Sequence, residues 1–177
     1  MTSNEYELLW FENDGKIPNN EYLPLIMYKQ PFEKEIIDTT FFRSLFRNNL
    51  WTNSWEDSIY PYHHFHSTAH EVLGVTSGTA ILLVGGEEGK AVYIEKGDVI
   101  IIPAGVGHKK ISSSLDFNVV GAYPLGQDWD LRRPNDYCVE IIQQIDRVCL
   151  PEQDPVFGDE GLIHEKWWGL MGVKKVQ

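Results

Sequence analysis

Histidine is concentrated in one short segment of the chain. Four of the six histidines lie within eight residues, namely His63, His64, His66 and His70. Imidazole is a common ligand of transition metals, and it can donate or accept a proton near neutral pH. In an extended chain, residues two apart point to the same side, so His64 and His66 can direct two imidazoles at one point. The segment predicts half of a metal site, or a polar network that needs no metal.

The other half of the site is predicted from residues farther along the chain. Glu71 has the wrong parity to share a face with His66 in one strand, but a turn at 67–69 removes the conflict. His108 begins a later strand after a turn that contains proline and glycine. The predicted metal ligands are His64, His66, Glu71 and His108. Three nitrogen donors and one carboxylate suit a divalent transition metal (Fe, Mn, Ni, Co, Cu or Zn) and not calcium.

The register of this segment leaves one alternative open. A shift of one residue reverses the faces of a strand, and it would make His70 a ligand in place of Glu71. Without such a shift, His63 and His70 have the opposite parity to the ligands. They are then expected beside the site, as partners of the bound imidazoles, or at the surface.

Other side chains near the cluster are candidates for catalysis or substrate binding. Glu71 either remains a ligand or acts as a base. Tyr62 shares the face of His64 and is a candidate proton donor, with core packing as the alternative. Lys110 shares the parity of His108 and either meets an anionic substrate or lies in solvent. Tryptophans in the flanking segments, including Trp55 and Trp129, are expected to pack or to form dimer contacts.

Short apolar runs separated by glycine predict an all-β fold around these residues. The predicted strands are Leu8–Phe11, Leu23–Tyr28, Glu71–Val75, Thr79–Val84, Ala91–Glu95, Val99–Pro103 and Phe117–Tyr123. Helical spacing of apolar residues predicts one helix between Glu33 and Asn49, where Asp38 or Thr39 could cap a late start. A second helix is expected to begin near Pro134 and to end before Pro151. The remaining residues, 151–177, are expected to pack on the barrel.

Two segments of the chain resemble the two sequence motifs of the cupins. The first motif, G-x5-H-x-H-x3,4-E-x6-G, is matched at His64, His66, Glu71 and Gly78. The second, G-x5-P-x-G-x2-H-x3-N, is matched at Gly97, Pro103, Gly105 and His108. Ser58 and Ser112 depart from the motifs, but neither position is a ligand position. Longer strings, including the one at 154–158, resemble a bacterial subfamily of single-domain cupins with no assigned reaction.

The resemblance implies a jelly-roll β-barrel of antiparallel strands that encloses the metal, and the two helices predicted from apolar spacing flank it. We expect one cupin domain over 1–177, in which 1–57 supply strands and a helix, 58–124 the metal-binding core, and 125–177 a helix and the packed tail. The resemblance also implies a homodimer. Cupins host many reactions, so the fold does not identify the substrate.

Composition excludes some partners. The chain has 15 basic and 26 acidic residues, a net charge of −11 with histidine neutral. Nucleic acids and anionic membranes attract positive surfaces, so neither is an expected partner. The start of the chain has neither a basic region nor an apolar run, which predicts a soluble cytoplasmic protein. Cys138 and Cys149 are expected to be reduced and buried.

Two functions are consistent with these features. The first is a metal-dependent enzyme for a small molecule, of the dioxygenase, isomerase or decarboxylase type. The second is a module that binds a small ligand through the metal without turnover. A purely structural barrel does not account for four ligand types at matching spacing.

Overall fold

A computed structural model describes residues 5–170, which form nine strands and few helices. The strands are β1 (Tyr6–Phe11), β2 (Asn20–Tyr28), β3 (Trp51–Asp57), β4 (Glu71–Ser77), β5 (Thr79–Val84), β6 (Lys90–Glu95), β7 (Val99–Ile102), β8 (His108–Ser113) and β9 (Asn118–Pro124). The helices are α1 (Thr39–Asn48), a 3-10 turn (Pro134–Asp136), α2 (Val139–Asp146) and a π-helix (Ile163–Trp168). No helix within residues 5–170 has the length and apolar character needed to cross a membrane.

The strands form two antiparallel sheets. Six strands lie in the order β1-β2-β7-β4-β9-β3, and three lie in the order β6-β5-β8. Each strand pair in both sheets is antiparallel. The predicted all-β fold of the jelly-roll class is therefore confirmed, as two facing sheets rather than one continuously hydrogen-bonded ring.

Alternation along β4 and β7 divides the core into two layers. Leu73 and Ile100 pack between the two sheets, together with residues of β5 and β6. Val72 and Ile101 point to the opposite face of the six-stranded sheet, where helix α1 and the C-terminal segment cover it. Glu71 has the parity of Leu73, so its side chain enters the space between the sheets.

Helix α1 packs on the outer face of the six-stranded sheet through Phe42 and Phe46. Its N-terminus is capped by Asp38, whose carboxylate accepts a hydrogen bond of 2.8 Å from the Phe41 amide. The predicted late start is therefore the observed one. Gly74 in β4 makes the packing possible, because a Cβ there would lie 2.6 Å from Cδ1 of Phe42.

The second helix begins later than predicted. The chain makes one 3-10 turn at Pro134–Asp136, is extended at Cys138, and only then begins α2.

The two cysteines are exposed, so the prediction of buried thiols is wrong. The tail buries Ile163 and Trp167 in the outer layer of the core, whereas its Leu170 is exposed. Its last seven residues, 171–177, lie outside the described part of the chain.

Candidate metal centre

The histidine-rich segment lies alongside the start of β8. His64 and His108 face each other in an antiparallel bridge, with backbone hydrogen bonds of 3.2 and 3.0 Å in the two directions. The amide of Gly105 donates to the carbonyl of His66 at 2.8 Å, which joins the turn before β8 to the same segment. This pairing places His64, His66 and His108 together although more than 40 residues separate the first from the last.

The three histidines form a buried cluster beside a carboxylate. Their nearest ring nitrogens all lie within 4.8 Å of one another, which is close enough for the three side chains to hold one metal ion. Glu71 reaches the cluster from β4, and its Oε2 lies 3.3 Å from Nε2 of His66 and 3.4 Å from Nε2 of His108. The structure thus brings together the four residues that the sequence singled out.

Each imidazole is oriented by a backbone carbonyl. Nδ1 of His64 lies 3.1 Å from the Tyr62 carbonyl, and Nδ1 of His108 lies 3.1 Å from the Val106 carbonyl. Nδ1 of His66 makes a short contact with the carbonyl of Asp130. A carbonyl oxygen only accepts hydrogen bonds, so each Nδ1 carries the proton and donates it. In the neutral imidazoles, the lone pair of Nε2 is left free to bind a cation.

Burial and mutual contacts shift the pKa values of these groups. Burial alone would raise the pKa of the Glu71 carboxyl, but His66 and His108 outweigh burial and lower it below the usual range. Burial tends to lower the pKa of His66, and the adjacent Glu71 carboxylate raises it overall. Burial, followed by the charge of His108, lowers the pKa of His64 to about 3. At neutral pH, Glu71 is therefore an anion and His64 a neutral donor.

A hydrogen-bond chain that the motifs do not mark orients the Glu71 carboxylate. Nε1 of Trp55 donates to the hydroxyl of Tyr123 at 2.7 Å, and this hydroxyl donates to Oε1 of Glu71 at 3.0 Å. An indole N–H can only donate, so the proton of Tyr123 must point to Glu71. Burial and the charge of Glu71 raise the pKa of Tyr123, which keeps the phenol protonated.

Strand pairing explains the position of Trp55. Trp55 of β3 pairs with Gly121 of β9, two residues before Tyr123. A Cβ at Gly121 would lie 2.2 Å from Cε2 of Trp55, so only glycine leaves room for the indole there. The parity of Tyr123 with Val119 was a sequence signal that its side chain faces the core, but no motif pointed to its bond with Glu71.

His70 and His63 lie outside the cluster. Nδ1 of His70 accepts a hydrogen bond of 2.9 Å from the Ala104 amide, and its ring packs on Trp167 at 4.8 Å between centroids. Nε2 of His63 lies 3.6 Å from Oε1 of Glu87. In the register of the structure, Glu71 rather than His70 faces the three histidines.

Tyr62 does not line the cavity next to the histidines. Its ring stacks on Tyr60 at 5.0 Å, and the guanidinium of Arg133 lies 3.7 Å from the ring centroid on Tyr62. The role of Tyr62 as a proton donor stays a prediction, whereas the tyrosine hydroxyl that contacts Glu71 belongs to Tyr123.

A cavity of about 450 Å³ opens onto the histidine cluster. Four aromatic side chains, together with apolar and charged residues, form its wall, namely Trp55, Tyr60, Tyr123 and Trp129. Trp55 and Trp129, expected to serve packing or dimer contacts, are therefore part of the cavity. Its volume lies in the range of about 300–1,000 Å³ that is typical of sites for small molecules.

Comparison with known proteins agrees with this arrangement. Residues 56–115 match the model of the cupin domain. The chain is 41% identical over 165 residues to the uncharacterized protein YjlB of Bacillus subtilis, covering 92% of this chain and 97% of YjlB. The chain belongs to the cupin superfamily. The matched domain contains the three histidines of the cluster and Glu71.

Solved structures also resemble this cupin. Acireductone dioxygenase from Bacillus anthracis, with a cadmium ion in its active centre, is 20% identical with a TM-score of 0.35, over 50% of this chain and 61% of the dioxygenase. RmlC from Streptococcus suis, in complex with dTDP-D-xylose, is 14% identical with a TM-score of 0.33, over 76% and 73% of the two chains. At these values the likeness does not indicate which reaction this cupin performs.

Proposed function

We propose that this cupin is a metal-dependent enzyme that acts on a small molecule in the aromatic cavity. The observation that carries the proposal is the orientation of the three histidines. Each Nδ1 faces a carbonyl oxygen, and Nε2 of His66 and His108 lies beside the Glu71 carboxylate. Lone pairs and a negative charge in a buried place repel one another unless a cation or protons lie among them.

The donor set fits a divalent transition metal held by His64, His66, His108 and Glu71. Such a metal would supply Lewis acidity or, if it is iron, reactivity towards O2. The chain itself provides the positions of the ligands and four aromatic side chains in the wall of the cavity. Tyr123 holds Oε1 of Glu71, which leaves Oε2 to face the histidines. If Glu71 leaves the metal to act as a base, the same hydrogen bond limits how far its carboxylate can swing.

Loading and turnover of purified protein test the proposed function. Metal-free protein is loaded separately with Fe, Mn, Ni, Co, Cu and Zn, and elemental analysis measures the stoichiometry. Each loaded form is then incubated with a pool of cellular metabolites and examined by mass spectrometry, with His108→Ala treated in parallel. An enzyme depletes one compound and forms a product in the wild type alone. Depletion without product supports a binding module, and absence of stoichiometric metal in every form overturns both functions.

Removing the Tyr123 hydroxyl should weaken the metal site without removing a ligand. We expect Tyr123→Phe to lower the affinity for zinc about 10-fold, since loss of a hydrogen-bond partner of a ligand costs about 10–100-fold. Competition with a chelator of known affinity measures the change. Tyr93→Phe, at an exposed tyrosine on β6, is the control and should leave the affinity as it is. Equal affinities of wild type and Tyr123→Phe would mean that the hydroxyl does not position Glu71.

The remaining sequence-based expectations stay predictions. These are the single domain over 1–177 with its three parts, the homodimer and the cytoplasmic location. Small molecules rather than nucleic acids remain the proposed partners, in agreement with the acidic net charge of −11.

A further inference from the structure

One positive charge lines the cavity beside the proposed metal centre. Lys110 lies two residues after His108 on β8 and belongs to the cavity wall. Alternate residues of a strand share a face, and their Cα atoms are about 7 Å apart. Lys110 therefore follows His108 on the cavity side of the strand, in the same cavity as the histidine cluster.

The contacts of Lys110 distinguish it from the other half-buried lysines of residues 5–170, namely Lys29, Lys109 and Lys166. Lys29, Lys90, Lys109 and Lys166 each form an ion pair with a carboxylate. Among residues 5–170, no carboxylate is within ion-pair distance of Lys110. Its Nζ instead donates to Oγ of Ser58 at 2.7 Å and lies 6.0 Å from the centroid of the Phe117 ring. The side chain is half-buried, and one neutral hydroxyl leaves two of its three N–H groups for another acceptor.

The acidic residues near Lys110 have other partners or lie at the edge of the cavity. Glu56 and Asp57, the acidic residues next to Ser58, are exposed at the rim of the cavity. Glu56 already accepts hydrogen bonds from Thr39 and Asn118. Glu71 is held by Tyr123 and faces the histidines. The ammonium of Lys110 is thus the cationic group that the wall of the cavity offers to an anion.

The aromatic residues of the cavity wall indicate the shape and polarity of the uncharged part of the ligand. Tyr60 and Trp129 are about half exposed, at 48% and 41% of their surface, and both line the cavity. The ring of Trp129 lies nearly parallel to that of Tyr123, at an angle of 19°. Flat aromatic surfaces favour flat apolar groups, which stack on them. A ligand for this wall combines a flat apolar part with one anionic end.

We propose that Lys110 forms a carboxylate-binding subsite, and that the ligand of the cavity is a small carboxylic acid with a flat, mainly apolar body. This subsite rests on the proposed function, because it names the substrate class for the same cavity. Ser58 holds the ammonium in place, and the aromatic wall receives the body of the acid. The serine stands where the first cupin motif has glycine, so its hydroxyl is a feature of this chain.

Matched pairs of probes test the subsite. The acids are benzoate, phenylacetate and 3-phenylpropanoate, and each is compared with its primary amide, which has nearly the same shape and no charge. Ligand-observed NMR and calorimetry measure the affinities for metal-free and zinc-loaded protein. In the wild type, we expect at least one acid to bind about 10-fold more tightly than its amide. Lys110→Met should abolish this preference in both forms, whereas Lys110→Arg should retain most of it.

Controls separate the subsite from the metal site. Lys109→Met removes the next lysine, which pairs with Glu87 at 2.7 Å, and should leave the preference unchanged. Zinc stoichiometry should be equal in wild type and Lys110→Met. A preference for acids that survives in Lys110→Met, or that is absent from the wild type, overturns the subsite. Failure of the protein to take up zinc or any of the other five metals would instead overturn the proposed function, while the metal-free measurements would still decide the role of Lys110.

Discussion

Replacing His66 by alanine is expected to lower the affinity for zinc by at least about 100-fold. Loss of a group that only supports a ligand already costs about 10–100-fold, and this change removes the ligand itself. His66 is buried, Nε2 lies 3.3 Å from Oε2 of Glu71, and Nδ1 is fixed by the carbonyl of Asp130. No other histidine of the segment can take its place, because His63 and His70 point away from the cluster. Zinc retained after dialysis against a chelator measures the effect.

The neighbouring histidine provides a matched control. His63 is also buried, but its closest charged group is Glu87, 3.6 Å from Nε2, and it is not part of the cluster. His63→Ala should therefore bind zinc as the wild type does. Equal loss of zinc in the two variants would mean that histidine content, not the cluster, determines binding. Far-UV circular dichroism and a second variant, His108→Ala, establish that the loss in His66→Ala is not caused by unfolding.

We expect zinc to raise the melting temperatures of the same variants by different amounts. Zinc at about 100 times its dissociation constant should stabilise the wild type by about 2.7 kcal/mol. For a domain of this size, that raises the melting temperature by roughly 5–11 °C. His66→Ala should show little of this increase at the same zinc concentration, whereas His63→Ala should show all of it.

The sequence was most informative where spacing alone decides geometry. His64 and His66 share a side because they are two residues apart, and Glu71 enters the core with the parity of Leu73. Pro103 and Gly105 predicted a turn, which brings His108 opposite His64. These relations are local, so strand periodicity and turn chemistry were enough to predict them.

Contacts that depend on the pairing of distant strands could not be predicted from local spacing. The bond from Tyr123 to Glu71 depends on the pairing of β9 with β4, and the position of Trp55 depends on the pairing of β3 with β9. Strand β3 itself was not predicted, because its residues are mostly polar and four of the seven are exposed. The second helix was predicted too long, since apolar spacing does not reveal that the chain is extended at Cys138.

The largest loss of stability is expected at Asp154, far along the chain from the histidine cluster. Asp154 is fully buried, and its carboxylate accepts four hydrogen bonds. The Tyr28 hydroxyl and the Ile163 amide bond to Oδ2 at 2.8 and 3.2 Å, while the amides of Val156 and Phe157 bond to Oδ1 at 2.8 and 3.1 Å. One side chain thus joins strand β2 to the turn at 154–158 and to the π-helix.

We expect Asp154→Ala to lower the free energy of unfolding by about 3–5 kcal/mol, because each buried donor left without an acceptor costs about 1–3 kcal/mol and these costs are not fully additive. The melting temperature should fall by roughly 10 °C. Asp154→Asn should have a smaller effect, since its carbonyl oxygen can still accept from Val156 and Phe157. Urea unfolding followed by tryptophan fluorescence measures both changes.

Asp159→Ala is the control for Asp154, because Asp159 lies in the same loop, is exposed, and makes only a long hydrogen bond of 3.4 Å with Gln153. It should change the free energy of unfolding by less than about 0.5 kcal/mol, the range usual for surface positions. If Asp154→Ala were no less stable than Asp159→Ala, the four hydrogen bonds would not hold the tail on the sheet. Apolar contacts of Trp167 with the outer layer of the core would then have to do so.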